Sequence, residues 1–412
     1  MSPGASDTVV VSGLGVVNPG FWGVDEAKRA FADPDPRPVE VDRSAGYHRN
    51  GSPRLALLVD ASRQADWLKP MAARRMSPAS RFAVCAALMA VRDAGLDVGD
   101  LEGETAVILG TGYGAATITE RILRQIFLEG PEAVSPALFT ESVANAPAAQ
   151  IALALKARGA NITVTQRRAS VAVALERALT LLRKDRAQRV MVGAVDELNP
   201  LLHAVLGRVG ALARPDVDGQ EQAHPFDERA SGWIAAEGAA VALLERADTA
   251  AERRARVHAR VVASGTAFDP TAPRNGWSRS PDILARALQG FLERHDVPLQ
   301  GIDRVVSSAC GHRASDRLEA GILQRVWGDR ELPAVLVPAA TAGCHGGGLM
   351  AGAVLAAAGC QFGATPGFSS AMSGVRLAPH DGRKLAPPGR TVAISAAAGG
   401  SAGWTVLEGP PR

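Results

Sequence analysis

The chain has 412 residues, of which 47% are hydrophobic, 21% charged and only 4% aromatic, and its formal net charge is +3. This balance is typical of a globular protein with room for two core-forming units or one duplicated unit, whereas a general polyanion binder would show clustered basic residues and a larger imbalance. We therefore expect no nucleic-acid binding and, since no uninterrupted apolar run reaches the ~18 residues that span a bilayer, no membrane insertion.

The four cysteines, Cys85, Cys310, Cys344 and Cys360, follow no disulfide framework. The first residues also lack the basic and apolar segments of a secretion signal. Both observations favour a reduced, cytoplasmic protein. Cys85 stands in a run of small apolar residues, so we expect it in the core rather than in a catalytic role.

The first predicted element is a buried strand over residues 8–17. It contains Gly13 and Gly15, which would fit a dinucleotide-binding turn if a third glycine followed at the right spacing. Asn18 stands there instead. We therefore interpret the two glycines as marking a tight bend of the strand.

Strand and helix patterns then alternate through the N-terminal half. Residues 34–68 are rich in proline and charge and predict an irregular surface excursion. Ser77 and Pro78 are typical of a helix start, and Gly95 of its end. The predicted helices cover residues 77–94, 117–128, 146–155 and 171–183, and the predicted strands cover 105–112, 161–165, 189–197 and 238–245.

The C-terminal half repeats this order more briefly. Its predicted helices cover residues 281–294, 316–327 and 347–358, and its predicted strands 257–264, 304–308, 334–338, 391–395 and 403–407. Strands alternating with helices predict a mostly parallel sheet covered on both faces. The related layout suggests an internal duplication into residues 1–250 and 251–412, and the lack of a Gly/Ser- or Pro-rich linker predicts one compact body.

The corner between the strand at 161–165 and the helix after it is where an α/β enzyme would place a nucleophile. Its sequence is Thr165-Gln-Arg-Arg-Ala-Ser170. A guanidinium is always protonated, so neither Arg167 nor Arg168 can act as nucleophile or general base. The corner therefore has the position of an active site but the wrong residue for one.

Four stretches carry a family resemblance, and the last of them is the most specific. They are residues 10–19 (VVSGLGVVNP), residues 134–136 (VSP), Asn145 within ANAPAAQIA, and residues 224–238 (HPFDERASGWIAAEG). With these motifs the chain resembles the thiolase-fold β-ketoacyl-acyl-carrier-protein synthases over nearly its whole length. The resemblance implies an α/β thiolase fold, in which duplicated βαβαβ halves form a layered α-β-α-β-α body, and it implies no cofactor and no metal.

The resemblance also implies where catalytic residues would lie. Such an enzyme is expected to use a cysteine at the strand-to-helix corner, two histidines, and a lysine before the second histidine. The cysteine position holds Arg168, the first histidine position Ser308 and the lysine position Ala340, whereas the second histidine is retained as His345. The family's C-terminal Gly-Phe-Gly-Gly loop is replaced by Ala397-Ala-Gly-Gly400, with Ala398 as its second residue.

Claisen condensation needs a thiolate to hold the acyl chain and neutral histidine donors to stabilise the enolate. Because these groups are lost together, the chain resembles the chain-length factor, or ketosynthase β subunit, of type II polyketide synthases. The implied function is a catalytically incompetent subunit that pairs with a cysteine-bearing ketosynthase α subunit and shapes the tunnel for polyketide or polyene chains on acyl carrier protein. That branch usually has glutamine and Gly-Gly where this chain has Arg168-Ala-Ser170, so a divergent, polyene-making subfamily stays open.

In this family the subunits are expected to associate through the strand before the nucleophile and through an earlier helix, which are residues 160–165 and 117–128 here. The implied interface or tunnel residues are Ile118, Arg121, Ile122, Gln125, Thr163 and Thr165. For Ile118 and Ile122 the alternative is that they pack in the subunit's own core. The sequence does not specify the partner's identity or the product's length, starter unit and reduction level.

Two other interpretations involve the cysteines. A relocated nucleophile, Cys310 or Cys344 beside His345, would make the chain an acyltransferase or thioesterase, but it lacks a thiol at a helix terminus and a complete base relay. Cys310, His312, Cys344 and His345 also offer four zinc ligands, although their spacings are not those of ordinary structural sites. We favour packing of small residues in glycine-rich loops.

A cation at a helix N-terminus opposes the helix dipole unless an acidic partner compensates it. We therefore expect Arg167 or Arg168 to pair with a carboxylate, and Asp227 and Glu237 are the first candidates. The alternative is that both arginines point to solvent, where they need no partner.

Overall fold

The protein is described here from a computed structural model, which covers residues 8–216 and 218–410. Within these residues, no helix combines the length and apolar character needed to cross a membrane. The strands in this part of the chain are β1 (Val9–Asn18), β2 (Phe21–Trp22), β3 (Val39–Glu40), β4 (Leu55–Leu57), β5 (Thr105–Gly110), β6 (Asn161–Val164), β7 (Arg189–Asp196), β8 (Ala235–Ala236), β9 (Gly238–Arg246), β10 (Ala259–Phe268), β11 (Ile302–Ser307), β12 (Ala334–Leu336), β13 (Arg390–Ala396) and β14 (Ser401–Glu408).

The helices alternate with these strands along the chain. They are α1 (Gly23–Ala32), α2 (Pro70–Ala73), α3 (Pro78–Asp93), α4 (Ala116–Glu129), α5 (Pro136–Phe139), α6 (Ala146–Leu155), α7 (Ser170–Arg183), α8 (Pro200–Arg208), α9 (Ala247–Glu252), α10 (Asp282–Arg294), α11 (Arg313–Trp327), α12 (Ala339–Ala342) and α13 (Gly346–Ala357). Short 3-10 turns join several of them, including one at Arg167–Ala169 directly before α7.

One large sheet forms the centre of the molecule, and it has internal symmetry. Its order from one edge to the middle is β6-β5-β7-β9-β1, and from the other edge β12-β11-β13-β14-β10. In each half the first three strands are parallel and the last two run antiparallel to their neighbours. The halves meet where β1 and β10 pair antiparallel, with Val9 opposite Val261. This repeated order agrees with the predicted duplication; the boundary at residue 250, which falls inside α9, stays a prediction.

The prediction of a mostly parallel sheet is wrong, because the large sheet is mixed. Strands buried on both faces are continuous apolar runs whichever way their neighbours point, so the sequence pattern does not distinguish the two arrangements. Residues 34–68 are largely irregular, as predicted, but β3 and β4 within them join β8 in a small second sheet. Helices α1 and α8, and the shorter α2, α5, α9 and α12, were not predicted.

Helices cover the sheet in layers. Helices α3 and α6 pack outside the N-terminal half, α10 and α11 pack outside the C-terminal half, and α7 and α13 lie between the halves in contact with each other. Helix α13 (GGGLMAGAVLAA) is apolar on all sides, as expected of a helix buried between the two halves of the sheet. The order is the predicted α-β-α-β-α arrangement.

The local sequence explains where helix α3 begins and ends and why it can pack closely on β1. Ser77 caps α3 by accepting a hydrogen bond from the Ser80 amide, and Gly95 follows the helix with a φ of +68°, as the sequence predicted. The side of α3 then lies directly on β1. A Cβ at Gly15 would lie 1.8 Å from the Ala86 carbonyl oxygen, so this glycine allows the helix to approach, which is a packing role and not a nucleotide turn.

Candidate functional site

The side chain of Arg168 is placed by the turn between β6 and α7. Arg167 has a φ of +51°, so the chain turns sharply there, and the Ser170 hydroxyl fixes the turn by accepting a hydrogen bond from the Gln166 amide at 2.8 Å. The turn directs the two arginine side chains differently. Arg167 is exposed and donates to the Ala398 carbonyl at 3.1 Å, whereas Arg168 is half-buried.

The guanidinium of Arg168 is held by hydrogen bonds to residues that follow β11. Nη1 lies 3.0 Å from the Ser315 hydroxyl and 3.4 Å from the Ser308 carbonyl oxygen, and Nη2 lies 2.9 Å from Cys310 Sγ. Burial opposes the charged form of Arg168 and by itself lowers the pKa. The surrounding groups, Cys310 foremost, outweigh this effect, so the pKa of Arg168 lies above its usual value. The cation is therefore a fixed part of this site.

Two indole rings flank the same guanidinium. Its carbon lies 4.8 Å from the ring centroid of Trp233 and 5.3 Å from that of Trp277, within the range of cation–π attraction. The imidazole of His312 lies against both rings, at centroid distances of 5.6 and 5.4 Å. Burial and the nearby Arg168 lower the pKa of His312 to about 4, so this imidazole is neutral near pH 7.

Ser308, at the first histidine position, donates its hydroxyl hydrogen bond to a buried carboxylate. The hydroxyls of Ser307 and Ser308 both donate to Glu319, which also accepts from the Ala396 amide at 3.0 Å. Burial raises the pKa of Glu319. The Ser308 hydroxyl therefore points away from any oxyanion that would form in the cavity, and only its carbonyl faces Arg168.

His345, the retained histidine, caps α13. Its Nδ1 accepts a hydrogen bond from the Gly348 amide at 3.3 Å, and its Nε2 lies 2.8 Å from the side-chain amide of Asn18. Burial lowers the pKa of His345 to about 4. A neutral ring that accepts at Nδ1 carries its proton on Nε2, so Asn18 must present its oxygen, which otherwise lacks a partner among the described residues. Both nitrogens of His345 are thus engaged inside the protein.

These groups surround a cavity of about 510 Å³. Its lining includes Tyr113, Arg167, Arg168, Trp233, Trp277, His312, Cys344, His345 and Ala398. A second, much smaller cavity of about 30 Å³ shares part of this lining and is bounded by Arg168, Ser308, Ala339, Cys344 and His345. Three of the positions that the resemblance identified, Arg168, Ser308 and His345, therefore line one cavity. Ala340 does not, because in α12 its neighbour Ala339 lines the cavity instead.

A model of the family described as "Beta-ketoacyl synthase, N-terminal domain" matches residues 6–250, more than half of the chain. The chain belongs to the beta-ketoacyl synthase family. The thiolase fold predicted from the sequence is confirmed by this match and by a solved structure, the ishigamide ketosynthase/chain length factor, which is 26% identical, covers 98% of this chain and 99% of its own, and has a TM-score of 0.87.

Two further members of the beta-ketoacyl synthase family are similar over most of their length. The granaticin polyketide beta-ketoacyl synthase 1 of Streptomyces violaceoruber is 27% identical, and the match covers 82% of this chain and 81% of that protein. The tetracenomycin polyketide synthase ketoacyl synthase beta subunit of Streptomyces glaucescens is 28% identical, with 92% of each chain covered.

The acidic partners expected for the two arginines have other roles in this synthase-family chain. Asp227 accepts hydrogen bonds from Arg229 Nε at 2.8 Å and from the Ser369 amide at 2.6 Å. Glu237 accepts from the amides of Val59 and Leu198, and burial raises its pKa to about 7. The predicted pairing with Arg167 or Arg168 is therefore not formed. Thiol, hydroxyl, carbonyl and aromatic groups surround Arg168 instead.

The four possible zinc ligands do not converge on one point. Among residues 8–216 and 218–410 no group of three or more Cys, His, Asp or Glu side chains is placed to hold a metal ion. Cys310 is paired with Cys344 and Arg168, while the His345 ring is turned towards Asn18. Cys85 lies fully buried in α3, where burial raises its pKa to about 12.

Several residues that build the site were not among the predicted ones. Trp233 and Trp277 flank the guanidinium, Glu319 holds the serines, and Asn18 fixes His345. Trp233 lies inside the 224–238 motif and Glu319 inside the predicted helix 316–327, but neither was given a role. For Trp277, the only sequence signal is that tryptophan is one of the few aromatic residues in the chain.

Proposed function

We propose that the chain is a catalytically incompetent ketosynthase-like subunit, a chain-length factor, that pairs with a cysteine-bearing ketosynthase and shapes the tunnel in which a polyketide or polyene grows on acyl carrier protein. The main support is Arg168, whose guanidinium takes the nucleophile position and is fixed there by three hydrogen bonds and two indoles. A permanently protonated group at this position cannot accept an acyl chain.

The second support is that the remaining polar groups are engaged elsewhere. The Ser308 hydroxyl is bound by Glu319, and both nitrogens of His345 have partners within the protein. Neither residue has a free donor to stabilise the enolate that decarboxylation leaves. The same geometry gives no base to Cys310 or Cys344, so nothing specific favours the acyltransferase or thioesterase alternative.

A heterodimer is supported by two unpartnered surfaces in the N-terminal half. Strand β6 is an edge of the large sheet and pairs only with β5 within the described part of the chain, so one row of its backbone groups is free to add a partner strand. Helix α4 carries Leu123, Phe127 and Leu128 with 38%, 80% and 71% of their surface exposed. Apolar side chains this exposed are typical of an interface.

The predicted tunnel residues are distributed around these two surfaces. Ile118 is buried, Ile122, Gln125 and Thr163 are half-buried, and Arg121 and Thr165 are exposed. Gln125 also accepts a hydrogen bond from the Ser135 amide at 3.4 Å. Ile122 is the strongest candidate for a length-determining contact, because it is apolar, partly exposed and lies in the same helix as the exposed Leu123 and Phe127.

The test is co-expression with a cysteine-bearing ketosynthase and reconstitution with malonyl-loaded acyl carrier protein. We expect the two chains to copurify, the complex to form product, and the chain alone to form none. Phe127→Glu should weaken copurification at least about tenfold, since it places a charge in a buried apolar contact. Val39→Ala, an exposed apolar residue on β3, is the matched control and should leave copurification unchanged.

Catalytic incompetence and the tunnel role are tested by two further variants. Arg168→Cys should remain unacylated by acyl carrier protein thioesters, because the first histidine and the lysine are still missing; acylation would contradict a dismantled site. In the complex, Ile122→Ala and Ile122→Phe should change product length in opposite directions. Unchanged length in both would remove Ile122 as a tunnel residue without affecting the heterodimer.

A further inference from the structure

Two free cysteines from different loops meet beside Arg168. Cys310 follows β11, Cys344 directly precedes the His345 cap of α13, and the two side chains pack in the same small apolar cluster. Cys310 is buried, with 1% of its surface exposed, whereas Cys344 is partly exposed and lines the 510 Å³ cavity. The pair therefore has one enclosed member and one member that a small solute can reach.

The charge around the pair favours a thiolate on the reachable cysteine. Arg168 Nη2 donates to Cys310 Sγ at 2.9 Å, which leaves the Cys310 S–H free to donate to Cys344. That hydrogen bond, with the positive charge of Arg168, lowers the pKa of Cys344, while burial raises the pKa of Cys310. The arrangement of a reactive thiolate beside a second thiol is the usual geometry of a redox-active pair.

We propose that Cys310 and Cys344 form a dithiol site that hydroperoxides oxidise reversibly to an intrasubunit disulfide. The inference is independent of the proposed subunit role, because it depends only on the two thiols, the guanidinium and the open cavity. The other two cysteines lack these features. Cys85 is enclosed in α3, and Cys360 packs in a different cluster from the other three cysteines.

The reaction balances with hydrogen peroxide as the oxidant. The Cys344 thiolate attacks one peroxide oxygen, and the O–O bond breaks. This forms a sulfenic acid on Cys344 and releases hydroxide, which takes a proton from solvent and becomes water. The Cys310 sulfur then attacks the sulfenic sulfur, its proton departs with the hydroxyl as a second water, and the S–S bond forms. Two thiols and one peroxide thus give one disulfide and two waters, and a dithiol reductant reverses the change.

The disulfide can be detected by peptide mapping of the full chain, purified with its partner when one copurifies. Trypsin would release Cys310 in residues 305–313, but Cys344 and Cys360 would share residues 331–376. Cys360→Ser is therefore the parent for this experiment. After limited hydrogen peroxide and alkylation, we expect peptides 305–313 and 331–376 to be joined, with the loss of two hydrogens, and to separate on treatment with dithiothreitol.

The controls decide between a pair and unspecific oxidation. In the unmodified sequence Cys344 should be lost faster than Cys360, because the pKa of Cys344 is lowered whereas burial raises that of Cys360, and the thiolate is the reactive form. Cys310→Ser in the Cys360→Ser parent should abolish the joined peptide. If peptide 305–313 stays alkylatable while Cys344 is consumed, or if no joined peptide forms in the parent, the proposal is wrong, and the parent gives this result even when the Cys310→Ser variant does not fold.

Discussion

The N-terminal turns of α7 and α13 occupy equivalent places in the two halves, but they carry different chemistry. Each helix lies in the central layer and follows the outermost strand of its half, β6 for α7 and β12 for α13. The first turn of α7 is preceded by a cation, Arg168, whereas α13 begins at a neutral imidazole, His345. The duplicated fold therefore supplies the same corner twice and fills it in two ways.

This difference agrees with the proposal that the nucleophile position was lost while the second histidine was kept. At the start of α7, Arg168 contacts Cys310 and two indoles, and its side chain does not cap the helix. His345 caps its helix through Nδ1, and a helix N-terminus left without a cap is destabilised. Retention of this histidine is accounted for by the fold and is not evidence for activity.

Removal of Arg168 should have the largest effect. Arg168→Ala deletes the donors to Ser308, Ser315 and Cys310 as well as the stacking on two indoles, and we expect the free energy of unfolding to fall by about 2–3 kcal/mol. Urea unfolding of the purified protein measures this change.

The neighbouring arginine is the matched control for that measurement. Arg167 is exposed and makes one hydrogen bond, to the Ala398 carbonyl, so Arg167→Ala should change the free energy of unfolding by no more than about 0.5 kcal/mol. An equally small change in the free energy of unfolding for both variants would mean that the contacts of Arg168 contribute no stability.

Substitution of His345 should have a smaller effect that depends on capping. His345→Ala removes the acceptor for the Gly348 amide and leaves Asn18 without its partner, so we expect a loss of about 1–2 kcal/mol. Asparagine is a good N-cap residue, and His345→Asn should recover most of that stability. If both variants lose the same amount of stability in thermal unfolding, or if His345→Asn abolishes product formation by the reconstituted complex, the imidazole has a role beyond capping.

The elements of the fold were largely predictable because they depend on local patterns. Ser77, Pro78 and Gly95 mark the limits of α3 by capping and turn chemistry, which act over a few residues. The direction of the strands was not predictable, since buried strands such as β9 and β14 have the same apolar composition in parallel and antiparallel sheets.

The site was predictable only as far as the family resemblance extends. It placed Arg168, Ser308 and His345 in one region, and the structure brings them together. It did not predict what Arg168 contacts, because Trp233, Trp277 and Cys310 lie in loops, where periodicity carries no information. The prediction that Arg167 or Arg168 pairs with Asp227 or Glu237 was wrong for a related reason, because a cation can be accommodated by indoles and a thiol as well as by an acid.

The two corners should also differ in how their stability depends on pH. Burial raises the pKa of Asp316, which binds the Cys310 and Gly311 amides beside Arg168, from 3.8 to about 7. Between these values the folded protein keeps a proton that the unfolded chain releases, so this contribution is complete below pH 3.8 and is lost as pH rises to 7. Burial lowers the pKa of His345 from 6.5 to about 4, so its contribution is complete above pH 6.5 and is lost as pH falls to 4.

Single-site variants separate the two contributions between pH 4 and 6.5, where they nearly cancel in the unmodified protein. Each group can change the free energy of unfolding by up to about 1.4 kcal/mol per pH unit, with opposite signs. Relative to the unmodified protein, stability should therefore rise with pH for Asp316→Asn and fall with pH for His345→Asn, by about 1 kcal/mol per unit in urea unfolding. Burial also raises the pKa of Glu237 and lowers that of His203, but both residues are present in all three proteins, so their contributions cancel in these differences. Curves that stay parallel across this range would show that neither corner holds its titratable group in the buried, neutral form.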